Sequence, residues 1–303
     1  MRIASLLSSA TEIVHELGLE RELVAISHEC DWPPESQHLP RLSRVRFDPA
    51  GLSSGEIDAA VRRCMEEHGS VYEVDAAALR DARPDLLLTQ AVCEVCAVPT
   101  GSVVEAVAGL EWSPRVLSLD AHTLEEILGT VGEVADAAGH PERGEAAVAA
   151  LRARLGKVRE RVAGRPAPRV LALEWLDPPF APGHWIPEMV EMAGGVSLAG
   201  TAGGLSVQVP WSELEGLDPD ALLLVPCGYG LEQARADVER ARERLYALAP
   251  RALASGNAAI GHSAFFSRSG PRVVGGVEAL AAWLHPEAAR AGRATPGILE
   301  PWR

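Results

Sequence analysis

The sequence predicts an α/β protein of two Rossmann-like lobes joined by one long helix, with a ligand cleft between the lobes. Three observations carry this. Through the first 120 residues, short apolar runs closed by turn residues alternate with helical patterns, the rhythm of parallel strands and crossover helices. From His122 to Ala163 the periodicity becomes helical throughout, and after the turn cluster GRPAPR the strand pattern returns. The expected organisation is an N-terminal α/β lobe over 1–120, a helical region with the linker helix over 121–165, and a C-terminal α/β lobe over 166–303.

Each element has a local reason. RIASLL, ELVAIS, PDLLLTQ and PRVLSL are short apolar runs of strand type, and ATEIVHELGL carries helical spacing. Thr123, with Glu126 three residues later, forms a capping-box signature. Gly139, His140 and Pro141 interrupt the periodicity, so a second helix runs from about Pro141 to Val162, roughly 30 Å at 1.5 Å per residue. RVLALEWL, DALLLVPCG and NAAIG supply the later strands. ARPDLLLTQ and LDPDALLLVPCG both place Pro-Asp before a buried strand, so the second half repeats the organisation of the first. PEMVEMAGG reads as a helix closed by glycine, which puts Met189 and Met192 in the core, and VERARERLYAL reads as a solvated helix face.

Composition removes several function classes. The 303 residues are 47% hydrophobic, enough for two cores, and carry a formal net charge of −14 with Lys157 as the single lysine. A nucleic-acid partner is excluded, because binding a polyanion requires a basic face. There is no run of about 18 apolar residues, so no membrane span is expected. In MRIASLLSSATEIVHELG, Ser8, Ser9, Thr11, Glu12, His15 and Glu16 break the apolar stretch that a secretory leader needs. It reads as a strand and helix of the fold, and the expectation is a cytoplasmic protein. The five cysteines, Cys30, Cys64, Cys93, Cys96 and Cys227, are an odd number in a long chain and do not suggest a disulfide scaffold.

RIASLLSSATEIVHELGL with HECDWPP, RPDLLLTQAVCEVCAV, the long central helix and SAFFSRSGPRVVGGVEALA together resemble the class III substrate-binding proteins. These are the helical-backbone receptors that serve ABC importers of cobalamin and ferric siderophores. The subgroup described as cobalamin-binding proteins shares the HECDWP and C-x-x-C features, and the resemblance covers almost the whole chain. It implies a ligand held between lobes that move little because the helix is stiff. Relatives carry heme, siderophores, bare metals or cobalamin. The importer receptors are exported and this sequence shows no export segment, so an ABC permease partner stays open. A cytosolic carrier and an enzyme on the same fold remain alternatives.

Ligands of open α/β sheets bind beyond the carboxyl ends of the strands. That rule selects Ser8, Ser9 and Thr11; His28, Glu29, Cys30 and Asp31; Gln90 to Cys96; Glu174 and Trp175; Cys227 to Tyr229; and His262 to Phe266, including Phe265. Trp175, Phe180 and Trp185 supply aromatic faces, and Glu174 and His184 supply polar atoms, a mixture suited to a flat, largely apolar macrocycle with amide edges. His28, His184 and His262 are loop imidazoles able to ligate a metal. Family position adds the loop with Ser206 and Trp211. Arg268 and Arg272 of SRSGPR could meet an acidic group, with a surface turn as the preferred reading.

Cys93 and Cys96 form a C-x-x-C, and Cys30 and Cys227 follow strands on the same cleft edge, so four sulfurs could hold zinc or an iron–sulfur cluster. The other readings are small apolar pocket walls and a redox pair; Cys64, on a helical pattern, is packed. The leading function is a cytosolic corrinoid-binding protein with cobalamin as its small-molecule ligand and no catalytic residue. The alternatives are a metal- or iron–sulfur-dependent hydrolase or lyase with Glu29 or Glu174 as general base, and a metal or siderophore carrier.

Overall fold

The structure is a computed structural model, and it describes residues 1–90, 103, 106–108, 110–288 and 296–303. The first lobe is organised by β1 (Ile3–Ser5), α1 (Ser8–Glu16), β2 (Leu23–Ala25), β3 (Ser43–Val45), α2 (Ser54–His68), β4 (Tyr72–Val74), α3 (Ala76–Ala82), β5 (Leu86–Thr89) and β6 (Arg115–Ser118). Its sheet has the order β2-β1-β5-β6 with every pairing parallel. Leu86, Leu87 and Leu88 are all at most 1% exposed, which explains why this strand is a continuous apolar run: a parallel strand is covered on both faces. Each such leucine contributes roughly 1.5–3 kcal/mol on burial. β3 and β4 form a separate antiparallel ribbon.

The helical region is α4 (Leu124–Ala138) and α5 (Pro141–Val162). The capping box forms as expected: the Thr123 hydroxyl accepts from the Glu126 N–H and the Glu126 carboxylate accepts from the Thr123 N–H. Gly139 closes α4 in the left-handed region at φ 81°, and Pro141 opens α5 where its missing N–H costs nothing. α5 has 22 residues, a rod of about 33 Å. Its buried face, Val148, Leu151, Leu155 and Val158, belongs to one core cluster that also holds Ile3 of the first lobe and Val170 of the second. Arg143 near its start donates to the carbonyls of Leu17 and Gly18, and Arg154 pairs with Glu278 of the second lobe at 2.8 Å. The rod is therefore packed into both lobes.

The second lobe contains β7 (Arg169–Leu173), β8 (Trp175–Leu176), β9 (Pro179–Ala181), α6 (Ile186–Met192), β10 (Val196–Ser197), β11 (Val207–Gln208), α7 (Trp211–Leu214), β12 (Ala221–Leu224), α8 (Leu231–Arg240), α9 (Arg242–Leu248), α10 (Pro250–Ala254), β13 (Ala258–Gly261), α11 (Ser263–Phe266), α12 (Val273–Leu284) and β14 (Leu299–Pro301). Its sheet has the order β10-β7-β12-β13-β14, parallel except for β14. RVLALEWL is not one strand. The chain leaves the parallel sheet at Glu174 and folds back, so that β8, β9 and β11 make a small antiparallel sheet of their own. VERARERLYAL likewise divides at Ala241 into α8 and α9. Met189 is fully buried and Met192 is packed against the same core. Among the described residues no helix is long and apolar enough to cross a membrane.

Candidate functional site

The strand ends of both lobes face a shared cavity of about 550 Å³. Ser8 and Ser9 reach it from the first turn of α1, where β1 ends, and Gln90 reaches it from the end of β5. From the second lobe come Glu174 and Trp175 after β7, Cys227 and Tyr229 after β12, and Arg268 after α11. The wall is mainly apolar, with aromatic faces from Phe47 and Tyr72 on one side and Trp175, Phe180 and Tyr229 on the other. The Trp175 and Tyr229 rings pack 5.1 Å apart, and the Trp175 Nε1–H is held by the Asp177 carbonyl at 3.1 Å. Trp185 is 7% exposed, donates to the Phe266 carbonyl at 2.6 Å and is part of the cavity wall.

A polar corner is built by two segments clasped together. The His184 N–H donates to the Gly204 carbonyl at 2.6 Å, and the Gly203 N–H returns to the His184 carbonyl at 2.9 Å. Ser206 accepts from the Gly183 N–H at 3.2 Å and donates to the Glu174 carboxylate. A Cβ on Gly183 would lie 2.3 Å from the Leu205 carbonyl carbon, so only glycine lets these segments meet. His184 stacks on His122 at 5.4 Å, and burial followed by the His122 charge holds its pKa below the ordinary histidine value. Its Nδ1 lies 3.5 Å from the Ser206 hydroxyl, and its Nε2 is covered and has no hydrogen-bond partner. His184 thus offers the cavity a neutral ring face.

Across the cavity, Glu29 lies against the wall and His28 stands behind it. The His28 Nδ1 is 2.8 Å from Ser43, its ring packs on Tyr72 at 5.2 Å, and its Nε2 is 3.2 Å from Glu29. The His28 ring beside it holds the Glu29 carboxyl below the usual carboxylate range despite burial, which makes it a weak base. His28 is therefore a support for the wall.

Several expected site residues lie elsewhere. Thr11, one turn further along α1, is fully buried and bonds to Ser5 and to the Cys30 Sγ, both at 3.0 Å. Cys30 is 1% exposed in the core, and burial pushes its thiol up, away from the thiolate a metal requires. Cys227 lines the cavity and Cys30 does not; Cys93 and Cys96 lie outside the described residues. Among the described residues no three His, Cys, Asp or Glu side chains are grouped to hold a metal ion. Trp211 packs on the second lobe's core beneath Arg244, Phe265 lies under the Arg272 guanidinium at 4.1 Å, and His262 caps α11 by accepting from the Ala264 N–H. None of these three lines the cavity.

The SRSGPR turn is not a surface turn. Arg268 makes a two-pronged pair with Asp31 at 2.6 and 2.9 Å, and both Arg268 and Arg272 reach the Glu12 Oε1, at 3.4 and 3.2 Å. These contacts join the lobes. Glu12 is 1% exposed; burial, opposed by Arg272 and Arg268, pushes its carboxyl up to about 7. On another edge Ser54 at the start of α2 donates to Asp237 of α8 at 2.7 Å, and Arg62 donates to Gln208 at 3.2 Å.

The fold that frames this cavity is shared with a known group. The family described as Periplasmic binding protein matches residues 3–258. This chain belongs to that family. A vitamin B12-binding protein of Vibrio cholerae serotype O1 is 25% identical over 201 residues, covering 65% of this chain and 60% of the relative, so the match leaves two fifths of that relative's length unaligned. Among solved structures, a periplasmic heme-binding protein from Pseudomonas aeruginosa superposes with a TM-score of 0.73 at 23% identity, covering 99% of this chain and 97% of the other. The periplasmic vitamin B12-binding protein of Vibrio cholerae gives 0.68 at 21% identity, covering 95% and 98%. These structures establish the two-lobed fold.

Membership corrects the cytoplasmic expectation: the family and the structures sharing its fold are periplasmic binding proteins. The interrupted stretch from which that expectation came is β1 and α1, part of the first lobe's core, and its polar residues serve packing and the cavity.

Proposed function

We propose that this chain is a corrinoid-binding protein that takes cobalamin into the inter-lobe cavity, with no catalytic step. The observation that carries the reading is the opposition of aromatic faces from the two lobes, Tyr72 and Phe47 against Trp175 and Phe180, around few polar groups. A flat macrocycle gains most from apolar contact on both faces and needs only sparse anchors to fix its orientation. Ser9, Glu29, Gln90, Glu174, His184 and Ser206 are suitably placed to meet the amide edges. The cavity is open to solvent, so the ring can enter while bulky appendages project outward. The named vitamin B12-binding relatives point the same way, and the family's binding proteins suggest an ABC permease as the partner that receives the ligand.

Calorimetric titration with cyanocobalamin tests this directly. The expected result is one site per chain with a dissociation constant at or below about 1 μM, some 8 kcal/mol. Absence of binding at ligand concentrations around 1 mM would refute the proposal.

A further inference from the structure

We propose that Arg268, held by Asp31 and Glu12, makes the cavity a charge filter that admits a neutral, amide-edged ring system and disfavours the same ring system bearing free carboxylates. The inference rests on the corrinoid reading and specifies the peripheral chemistry that the site accepts.

Among the described residues, the charged groups on the cavity wall are Glu29, Asp58, Glu174 and Arg268. A lone guanidinium in an apolar wall is ordinarily the place where a ligand carboxylate docks, because its fork matches two oxygens. Here that fork is already occupied. Both terminal nitrogens of Arg268 are on Asp31, and one of them also approaches Glu12. Arg272 does not take its place, since its guanidinium is on Glu12 and over the Phe265 ring. With Glu12 ionised, as at pH 8, the four groups sum to zero formal charge, two arginines against two acids. Asp58 is similarly neutralised by Arg62 at 2.8 Å. An incoming carboxylate therefore meets a cation already paired and, on the facing walls, further carboxylates, whereas a carboxamide meets no such repulsion.

The arrangement also depends on both lobes. Glu12 and Asp31 belong to the first, Arg268 and Arg272 to the second, so Arg268 is neutralised only while the lobes face each other as they do here.

The test compares ligands that differ only in peripheral charge. Cyanocobalamin and its monocarboxylic acid, in which one side-chain amide is hydrolysed, are titrated into the wild type and into Asp31→Asn at pH 8. Hemin and its diamide form the second pair. The wild type is expected to bind the acid at least about tenfold more weakly than the amide, and Asp31→Asn, which releases Arg268, to shrink that gap to about threefold or less by tightening the acid. Asp31 sits at the surface, so the variant is expected to fold; Glu12→Gln provides a second release of the same guanidinium. Equal affinities in the wild type, or an unchanged gap in both variants, would overturn the filter. If neither corrinoid binds but the heme compounds do, the corrinoid reading fails while the filter is still judged: diamide tighter than hemin supports it, and hemin tighter overturns it. Failure of all four ligands to bind overturns both.

Discussion

Replacing Glu12 by Gln should stabilise this protein above neutral pH and leave it unchanged in mild acid. The carboxyl is buried between the lobes with one oxygen on two arginines and the other, Oε2, without a partner. Two effects oppose each other: burial disfavours the charge, and Arg272 and Arg268 favour it. Burial wins, raising the carboxyl from an ordinary 4.5 to about 7. The folded chain therefore retains a proton across that range which the unfolded chain gives up. The stability linked to this proton is fully present below about 4.5 and lost as pH rises through about 7. At about 1.4 kcal/mol per pH unit, the whole span is worth about 3 kcal/mol. Glutamine imitates the protonated acid, so urea denaturation should give equal unfolding free energies for Glu12→Gln and wild type near pH 4.5 and a larger one for the variant at pH 8, by up to about 3 kcal/mol. If the arginine pairing won instead, the carboxylate would be ionised in both conditions and its loss would destabilise, by about 3 kcal/mol or more for a broken buried pair. A variant less stable than wild type at pH 8 would refute the reasoning.

Other substitutions probe the wall. Trp175→Ala removes a half-buried aromatic face and should weaken cyanocobalamin binding by about tenfold or more in a calorimetric titration, with a smaller cost in thermal stability than a core tryptophan. Gly183→Ala places a Cβ against the Leu205–Ser206 backbone; it should cost about 2 kcal/mol or more of stability in a denaturant melt and weaken ligand binding with it. Cys30→Ala should lower stability by about 1–2 kcal/mol and leave the metal content of the purified protein, measured by elemental analysis, unchanged.

The fold was readable because its signals are local. A buried parallel strand is a continuous apolar run, as in PDLLLTQ, and Thr123, Glu126, Gly139 and Pro141 mark helix ends through backbone geometry at their own positions. The convergence of Ser9, Gln90, Glu174 and Cys227 was also readable, since strand carboxyl ends share one edge of a parallel sheet. Position beyond a strand does not settle which way a side chain points. Thr11 follows the same strand as Ser9 but turns to Ser5 and Cys30, and Phe265 turns to Arg272. Trp211, suggested by family position, packs on its own lobe. Tyr72 sits on the antiparallel β3–β4 ribbon outside the parallel sheet, where the strand-end rule does not reach. The role of Arg268 was hidden for a different reason: its partners, Asp31 and Glu12, are more than 230 residues away, and no local pattern encodes that pairing.

The proposed ligand lies between the lobes against aromatic faces from each. A crystal structure of the protein grown with cyanocobalamin tests this placement most directly. The prediction is a corrin ring in the inter-lobe cavity, in contact with Tyr72 on one side and Trp175 on the other. A corrinoid bound elsewhere on the surface, or a cavity left without ligand at saturating concentration, would contradict it.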